Sequence, residues 1–183
     1  MGGDSAGLSG WETVVRADPK VFINGPFVMG FTTSFRMGQL LRYAFEPPEH
    51  SSDVEDHRFM ATTFVDAVRE CLKAGGYAKK ENEVELAGDF LVGYRGHLYE
   101  VDTDYQVGES VDGYMAIGTG SATSVGALYA TKGRAPRVRV RLALEAAARH
   151  NGAVCAPFIV MQEPAEVIAL HVVPAQQTSE NVS

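Results

Sequence analysis

The sequence predicts an α+β protein built on antiparallel sheets. The predicted elements run in the order strands, two helices, strands, two helices, strands, which is not the strict alternation of a parallel α/β protein. The helical segments repeat apolar residues every three or four positions, whereas the strand segments are short and bounded by glycine turns. A chain of 183 residues favours one domain, which we place at 1–174, followed by a polar, disordered tail at 175–183.

The first third of the chain predicts three strands and two helices. Trp11 to Val15 is predicted as a strand, and Asn24-Gly25-Pro26 predicts a tight turn that joins strands Val21–Ile23 and Phe27–Phe31. Ser34 is a suitable N-cap for the first helix. The apolar face of that helix comprises Met37, Leu40, Leu41, Ala44 and Phe45, and that of the second comprises Phe59, Met60, Phe64, Val68, Cys71 and Leu72.

The remainder predicts a second group of strands, a second helix pair and closing strands. Arg95-Gly96 is the expected turn between the first two strands of this group, and Pro136 suits the first turn of the last helix. The predicted strands are Glu85–Tyr94, His97–Asp102, Tyr114–Ile117, Val154–Met161 and Val167–Val173, and the predicted helices are Ser121–Ala130 and Pro136–His150.

Composition excludes several classes of function. A net charge of −7 argues against a nucleic-acid or anionic-membrane partner, because both require a basic face. No apolar run is long enough to span a membrane, and Met1 is followed by glycines and an acid, unlike a secretory signal. Two cysteines do not make a disulfide framework, so we expect a reduced, cytoplasmic compartment. The five histidines show no metal-ligand spacing, so no metal site is expected.

Three groups of residues are candidates for chemistry. Asp4 ends a glycine turn and Lys20 heads a strand sixteen positions later; taken singly, they are a capping aspartate and a surface lysine. The junction of Thr32, Thr33 and Ser34 leads from a strand into a helix, and its hydroxyls could equally be a simple helix cap. The turn Gly118-Thr119-Gly120-Ser121 opens another helix, where phosphate binding is the less favoured reading because no P-loop pattern is present.

Together, the order and spacing of these segments resemble the proteasome β-subunit and HslV group of N-terminal-nucleophile (Ntn) hydrolases. The resemblance extends over roughly residues 3 to 173. It implies a four-layer α-β-β-α sandwich. It also implies an N-terminal threonine nucleophile on a short strand before the Gly-Asp turn, and this chain has no residues there. We therefore expect a chain that lacks its first strand, with Met1 as an internal methionine of the family's first hairpin.

The resemblance assigns roles to the candidate residues. Asp4 and Lys20 would support the nucleophile, and Ser121, with Thr119 second, would pass protons near its amine. The junction of Thr32, Thr33 and Ser34 would supply a backbone N–H to the oxyanion and line the specificity pocket. The family's Asp and Ser-Gly-Gly after the last helix are replaced here by Arg149-His150-Asn151-Gly152, which leaves open what supports Ser121.

The resulting functional hypothesis is a cytoplasmic threonine-type peptidase subunit. It would hydrolyse peptides or unfolded proteins in a homo-oligomeric ring, without a cofactor and with a possible ATPase partner. Two alternatives remain open: a catalytically inactive ring or scaffold subunit of the same fold, and an Ntn amidase that acts on a small amide. Cleavage specificity, ring size and the identity of any activator do not follow from the sequence.

Overall fold

The computed structural model describes residues 1–10, 12–77, 79–81 and 84–162. The strands are β1 Gly2–Gly3, β2 Ala6–Ser9, β3 Glu12–Val15, β4 Val21–Asn24, β5 Phe27–Phe31, β6 Lys79–Glu81, β7 Val84–Leu86, β8 Phe90–Tyr94, β9 His97–Val101, β10 Val107–Glu109 and β11 Ile159–Val160. The helices are α1 Phe35–Tyr43, α2 Asp56–Phe59, α3 Val65–Ala74, α4 Ser121–Ala130 and α5 Pro136–His150, with a π-helical turn at Met60–Phe64 joining α2 to α3.

The central element is a five-stranded antiparallel sheet in the order β10-β9-β8-β5-β4. Two of its hairpins form as the sequence predicts. Gly25, at a φ of +55°, and Pro26 join β4 to β5, with Asn24 paired to Phe27. Arg95 and Gly96 both have positive φ, as a two-residue hairpin turn requires, and they join β8 to β9.

Helices α1 to α3 cover one face of this sheet and enclose the main hydrophobic core. Ser34 caps α1 as predicted, since its hydroxyl accepts a hydrogen bond from the Arg36 N–H. The π-helical turn adds a residue to the second helical segment and keeps its apolar side chains on the core side. Most of the predicted apolar positions are buried, including Met37, Leu40, Leu41, Phe45, Phe59, Met60, Phe64, Val68 and Leu72.

The other face of the sheet is approached by the short β1–β11 pair and by helices α4 and α5, which pack against each other. β1 lies close to both neighbours. A β-carbon added at Gly30 of β5 would lie 2.7 Å from the Met1 Sδ, and one at Gly2 would lie 2.4 Å from Val140 of α5. Glycine at these positions therefore permits the close approach of the backbones.

Several sequence predictions require correction. Tyr114–Ile117 is not a strand; it lies between Gly113 and Gly118, whose positive φ values break an extended path. Glu85–Tyr94 is not one strand but falls in two, β7 and β8, and in the segment between them Gly88 packs tightly against Thr33. Within Val154–Met161 only Ile159–Val160 is paired, and Pro157 has no N–H to donate to a ladder.

Other predictions lie outside the described residues. These are the strand Val167–Val173, the tail 175–183 and the first position of the strand predicted from Trp11. Within the described part of the chain, no helix is long and apolar enough to cross a membrane.

Candidate active site

Asp4 and Lys20 form an ion pair where β1 and β4 meet. The Lys20 Nζ donates to the Asp4 Oδ1 at 2.7 Å, and only 17% of the lysine side chain and 13% of the aspartate side chain are exposed. The second carboxylate oxygen accepts from the Ala6 N–H at 2.8 Å and from the Cys155 N–H at 3.3 Å. The carboxylate therefore has three donors, which fix its orientation and hold the ammonium in place.

The pair lies at the edge of a cavity of about 100 Å³ that is lined by residues of β1, β5, α4 and α5 and of the loops beside them. We call this space the inner cavity. Met1, Lys20, Thr32 and Thr119 are among the residues that line it. Residues from all three groups that the resemblance singles out line it, so residues far apart in the chain face one small space.

The turn Gly118-Thr119-Gly120-Ser121 closes one side of the inner cavity. The Ser121 N–H donates to the Gly118 carbonyl at 3.0 Å, and Gly118 has a φ of +86°. A β-carbon at Gly118 would lie 2.9 Å from the Thr32 Oγ1, so this turn is in tight contact with the strand-to-helix junction. Thr119 lines the inner cavity, whereas Ser121 lines only an adjoining outer pocket.

The junction at Thr32, Thr33 and Ser34 forms a tight three-residue turn. Thr33 has a φ of +69°, an unusual conformation for a β-branched residue, and the Ser34 N–H donates to the Thr32 carbonyl at 2.7 Å. Thr32 itself donates to the carbonyl of Asp89 at 3.1 Å. No backbone carbonyl among the described residues accepts a hydrogen bond from the Thr33 N–H.

The outer pocket has a volume of about 520 Å³ and an acidic wall that the sequence reasoning missed. Asp89 and Glu100 line it together with Thr32, Thr33 and Ser121. The Asp89 Oδ1 is buried and has no hydrogen-bond partner among the described residues. The sequence indicates this wall only weakly, because Glu100 is one of the alternating residues of strand β9 and Asp89 is a loop residue directly before strand β8.

The protonation of this wall is set by burial and by neighbouring acids. Burial, with the charge of Asp102 next, raises the pKa of Asp89, and the same two causes, followed by Asp89, raise the pKa of Glu100. Hydrogen bonds, first of all from the Thr103 backbone N–H, lower the pKa of Asp102. These shifts in pKa favour ionisation of Asp102 before that of Asp89 and Glu100.

The other residues considered from the sequence are histidines and cysteines. His50 shares a hydrogen bond with the Tyr94 hydroxyl at 2.9 Å and stacks on Phe59. Cys71 and Cys155 are both free thiols. Among the described residues, no three His, Cys, Asp or Glu side chains are placed to hold one metal ion.

No protein-family model and no curated protein sequence matches the chain. Among solved structures, Thiobacillus denitrificans BPH in complex with epoxomicin is similar at 20% identity and a TM-score of 0.71, over 89% of this chain and 92% of that one.

Two further solved structures are also similar to this chain. Eukaryotic HslV from Trypanosoma brucei is 18% identical over 86% of this chain and 88% of its own, with a TM-score of 0.59. The Anbu complex from Pseudomonas aeruginosa, described as a helical assembly, is 16% identical over 86% of this chain and 73% of its own, with a TM-score of 0.57. The resemblance inferred from the sequence is thus confirmed at the level of the fold: the chain has the HslV-like, proteasome-related fold of Ntn hydrolases.

Proposed function

We propose that this chain is a subunit of a threonine-type peptidase that hydrolyses peptide bonds within an oligomeric ring. The observation that carries the proposal is the Asp4–Lys20 ion pair, which is largely buried at the edge of the inner cavity and faces the Thr119 turn. Burying this ion pair costs free energy, because both charges lose hydration, and a purely structural role does not require such a pair.

The pair suits the chemistry of an N-terminal nucleophile. In such a site a hydroxyl attacks the peptide carbonyl while the free α-amine of the same residue takes the proton. A nearby ammonium can hydrogen-bond the hydroxyl and disfavours protonation of the amine, provided that an acid keeps the ammonium charged and fixed. In the proposal Lys20 and Asp4 take these two parts, and a threonine N-terminal to the Gly3–Asp4 turn is the nucleophile.

The two flanking turns complete the proposed site. The oxyanion requires backbone donors at the junction of Thr32, Thr33 and Ser34. Because the Ser34 N–H is used by the Thr32 carbonyl, the Thr33 N–H is the donor available in this conformation. For the proton-passing hydroxyl we favour Thr119 over Ser121, since only Thr119 shares the inner cavity with Lys20.

We infer a four-layer arrangement for residues 1–174 as one domain. Helices α1 to α3, the five-stranded sheet, the β1–β11 pair and helices α4 and α5 would be its layers. The contacts of Gly30 with Met1 and of Gly2 with Val140 support this order, since they place β1 between the sheet and α5. The Anbu helical assembly supports association of subunits. The ring, the ATPase partner and the cytoplasmic location stay predictions from the resemblance.

The decisive experiment has two parts: the nucleophile is identified, and two matched lysine variants are compared. We would determine the intact mass and N-terminal sequence of the native protein, test binding of epoxomicin, and assay hydrolysis of peptides and small amides. Lys20→Met should lower peptide hydrolysis at least 100-fold, about 2.7 kcal/mol of transition-state stabilisation. Lys73→Met should leave it unchanged, because Lys73 is an exposed surface residue on α3.

The results separate the three hypotheses. Hydrolysis of peptides that depends on an N-terminal threonine and on Lys20 supports the proposal. Absence of both a threonine N-terminus and activity would favour the inactive ring subunit. Turnover of small amides without peptide cleavage would favour the amidase.

A further inference from the structure

We propose that Asn151 is a positioning residue that holds the Thr119 turn against the Asp4–Lys20 pair. This role rests on the proposed peptidase function, in which Thr119 and Lys20 act on the same nucleophile. Asn151 follows the last residue of α5, and its side chain hydrogen-bonds Thr119 and Ala153, which both line the inner cavity. It occupies the region where the resemblance leads one to expect an aspartate and a serine, and where this sequence has neither.

The first contact is with the turn itself. The Asn151 Nδ2 donates to the Thr119 carbonyl at 2.7 Å. The turn needs such support, because Gly120 is the N-cap of α4 and offers no side-chain cap. Thr119 is exposed, and its two neighbours are glycines with little resistance to rotation of the backbone. Gly118 packs against Thr32 and Gly120 packs against Ala147 and Val154, and the Asn151 amide adds the hydrogen bond to the carbonyl between the two glycines.

The second contact leads to the ion pair. The Asn151 Oδ1 accepts from the Ala153 N–H at 2.9 Å, which holds the loop after α5 in a compact turn. Two residues further on, the Cys155 N–H donates to the Asp4 Oδ2 at 3.3 Å, and the Cys155 carbonyl accepts from the Ser5 N–H at 3.0 Å. A single side chain thus connects the Thr119 turn, through one short loop, to the carboxylate that holds Lys20.

A simple capping role does not account for these contacts. Asn151 has a φ of −140°, which is extended and not the left-handed conformation that asparagine adopts as a helix terminator. Neither of its side-chain hydrogen bonds is made to α5. Both are made to the segments that surround the inner cavity.

The chain offers a matched control for the test. The Asn24 side chain also makes two hydrogen bonds to the backbone: its Nδ2 donates to the carbonyls of Leu41 at 3.0 Å and Phe45 at 2.9 Å, at the far end of α1. We would compare Asn151→Ala and Asn151→Asp with Asn24→Ala and Asn24→Asp in the full chain. Asn151→Ser is a second conservative variant, to be used if the aspartate variant does not fold.

The first measurement is amide hydrogen exchange by NMR, which needs no enzymatic activity. Loss of one net hydrogen bond should speed exchange of the Ser121 and Cys155 amides about three- to tenfold relative to the β8 amides. The Asn24 variants should leave this ratio unchanged. A ratio that stays at the wild-type value in all Asn151 variants would overturn the proposal, as would faster exchange confined to the last turn of α5.

The second measurement is peptide hydrolysis by protein with its native N-terminus. The Asn151 variants should lower kcat about three- to tenfold with little change in KM, whereas the Asn24 variants should keep the wild-type kcat per folded molecule. If the wild type hydrolyses peptides and the Asn151 variants match it, the positioning role is refuted. If the exchange ratio changes as expected but the wild type hydrolyses no peptide, the positioning role stands and the proposed function fails.

Discussion

Replacing Asp4 by asparagine should destabilise the protein by about 3 kcal/mol, although the side chain keeps its shape. The carboxylate accepts from the Lys20 ammonium at 2.7 Å on one oxygen and from two backbone N–H groups on the other. An asparagine amide has one accepting oxygen, so its NH₂ must face either the ammonium or the two N–H groups.

The magnitude follows from the loss of one charge-assisted bond and from the unpaired lysine. Such a bond contributes about 1.5–3 kcal/mol, and an uncompensated buried charge adds to the loss. Because 17% of the lysine side chain is still exposed, the total should lie near the lower end of the range for buried pairs. For a domain of this size, about 3 kcal/mol corresponds to a fall in Tm of roughly 6–12 °C.

The assay is urea unfolding of Asp4→Asn, Lys20→Met and the double variant, with a coupling energy of about 2 kcal/mol expected between them. The Arg16–Asp18 pair is the control, since its N–O distance is also 2.7 Å but 35% of each side chain is exposed. Asp18→Asn should cost less than about 1 kcal/mol. If Asp4→Asn costs no more than Asp18→Asn, or if the coupling energy is near zero, the described burial of the pair is wrong.

Two further predictions concern the surroundings of the site. Burial and Asp102 raise the pKa of Asp89 above its unfolded value near 4, so its ionisation lowers stability as the pH rises from about 4 to 7. Asp89→Asn should therefore gain stability relative to wild type as the pH rises from about 4 to 7; urea unfolding at both pH values tests this, and equal differences would contradict it. Gly118→Ala should lower the free energy of unfolding by at least about 2 kcal/mol, since its β-carbon would lie 2.9 Å from Thr32 and the backbone is left-handed. Gly113→Ala has the backbone strain alone and should lower it by about 1 kcal/mol. Equal losses in thermal unfolding would exclude the contact with Thr32.

The parts of the fold that the sequence predicts well are those decided by local interactions. The β4–β5 hairpin depends on Gly25 and Pro26, and the start of α1 depends on Ser34, whose hydroxyl caps a residue two positions away. The apolar faces of the first two helical segments were also predictable, because side-chain periodicity alone decides which positions face the sheet.

The failures occur where a distant partner decides the outcome. Tyr114–Ile117 has the composition of a strand, yet no described strand lies beside it to accept its hydrogen bonds. The acidic wall of the outer pocket arises because Asp89 precedes β8 and Glu100 lies on β9, which pair in space. The carbonyl of Thr119 receives its hydrogen bond from a residue 32 positions away, so its support could not be identified from its neighbours in sequence.

The position of the candidate site follows from the glycines that line the face of the sheet. β1 can lie against β5 and α5 only because Gly30 and Gly2 leave room for the Met1 side chain and for Val140. Larger residues at either position would move β1, and with it Asp4, which follows β1 directly. The ion pair requires a separation of 2.7 Å between atoms on two different strands, so a shift of about 1 Å would break it. The glycines of β1 and β5 therefore set the geometry of the site as directly as the charged residues do, although they contribute no functional group.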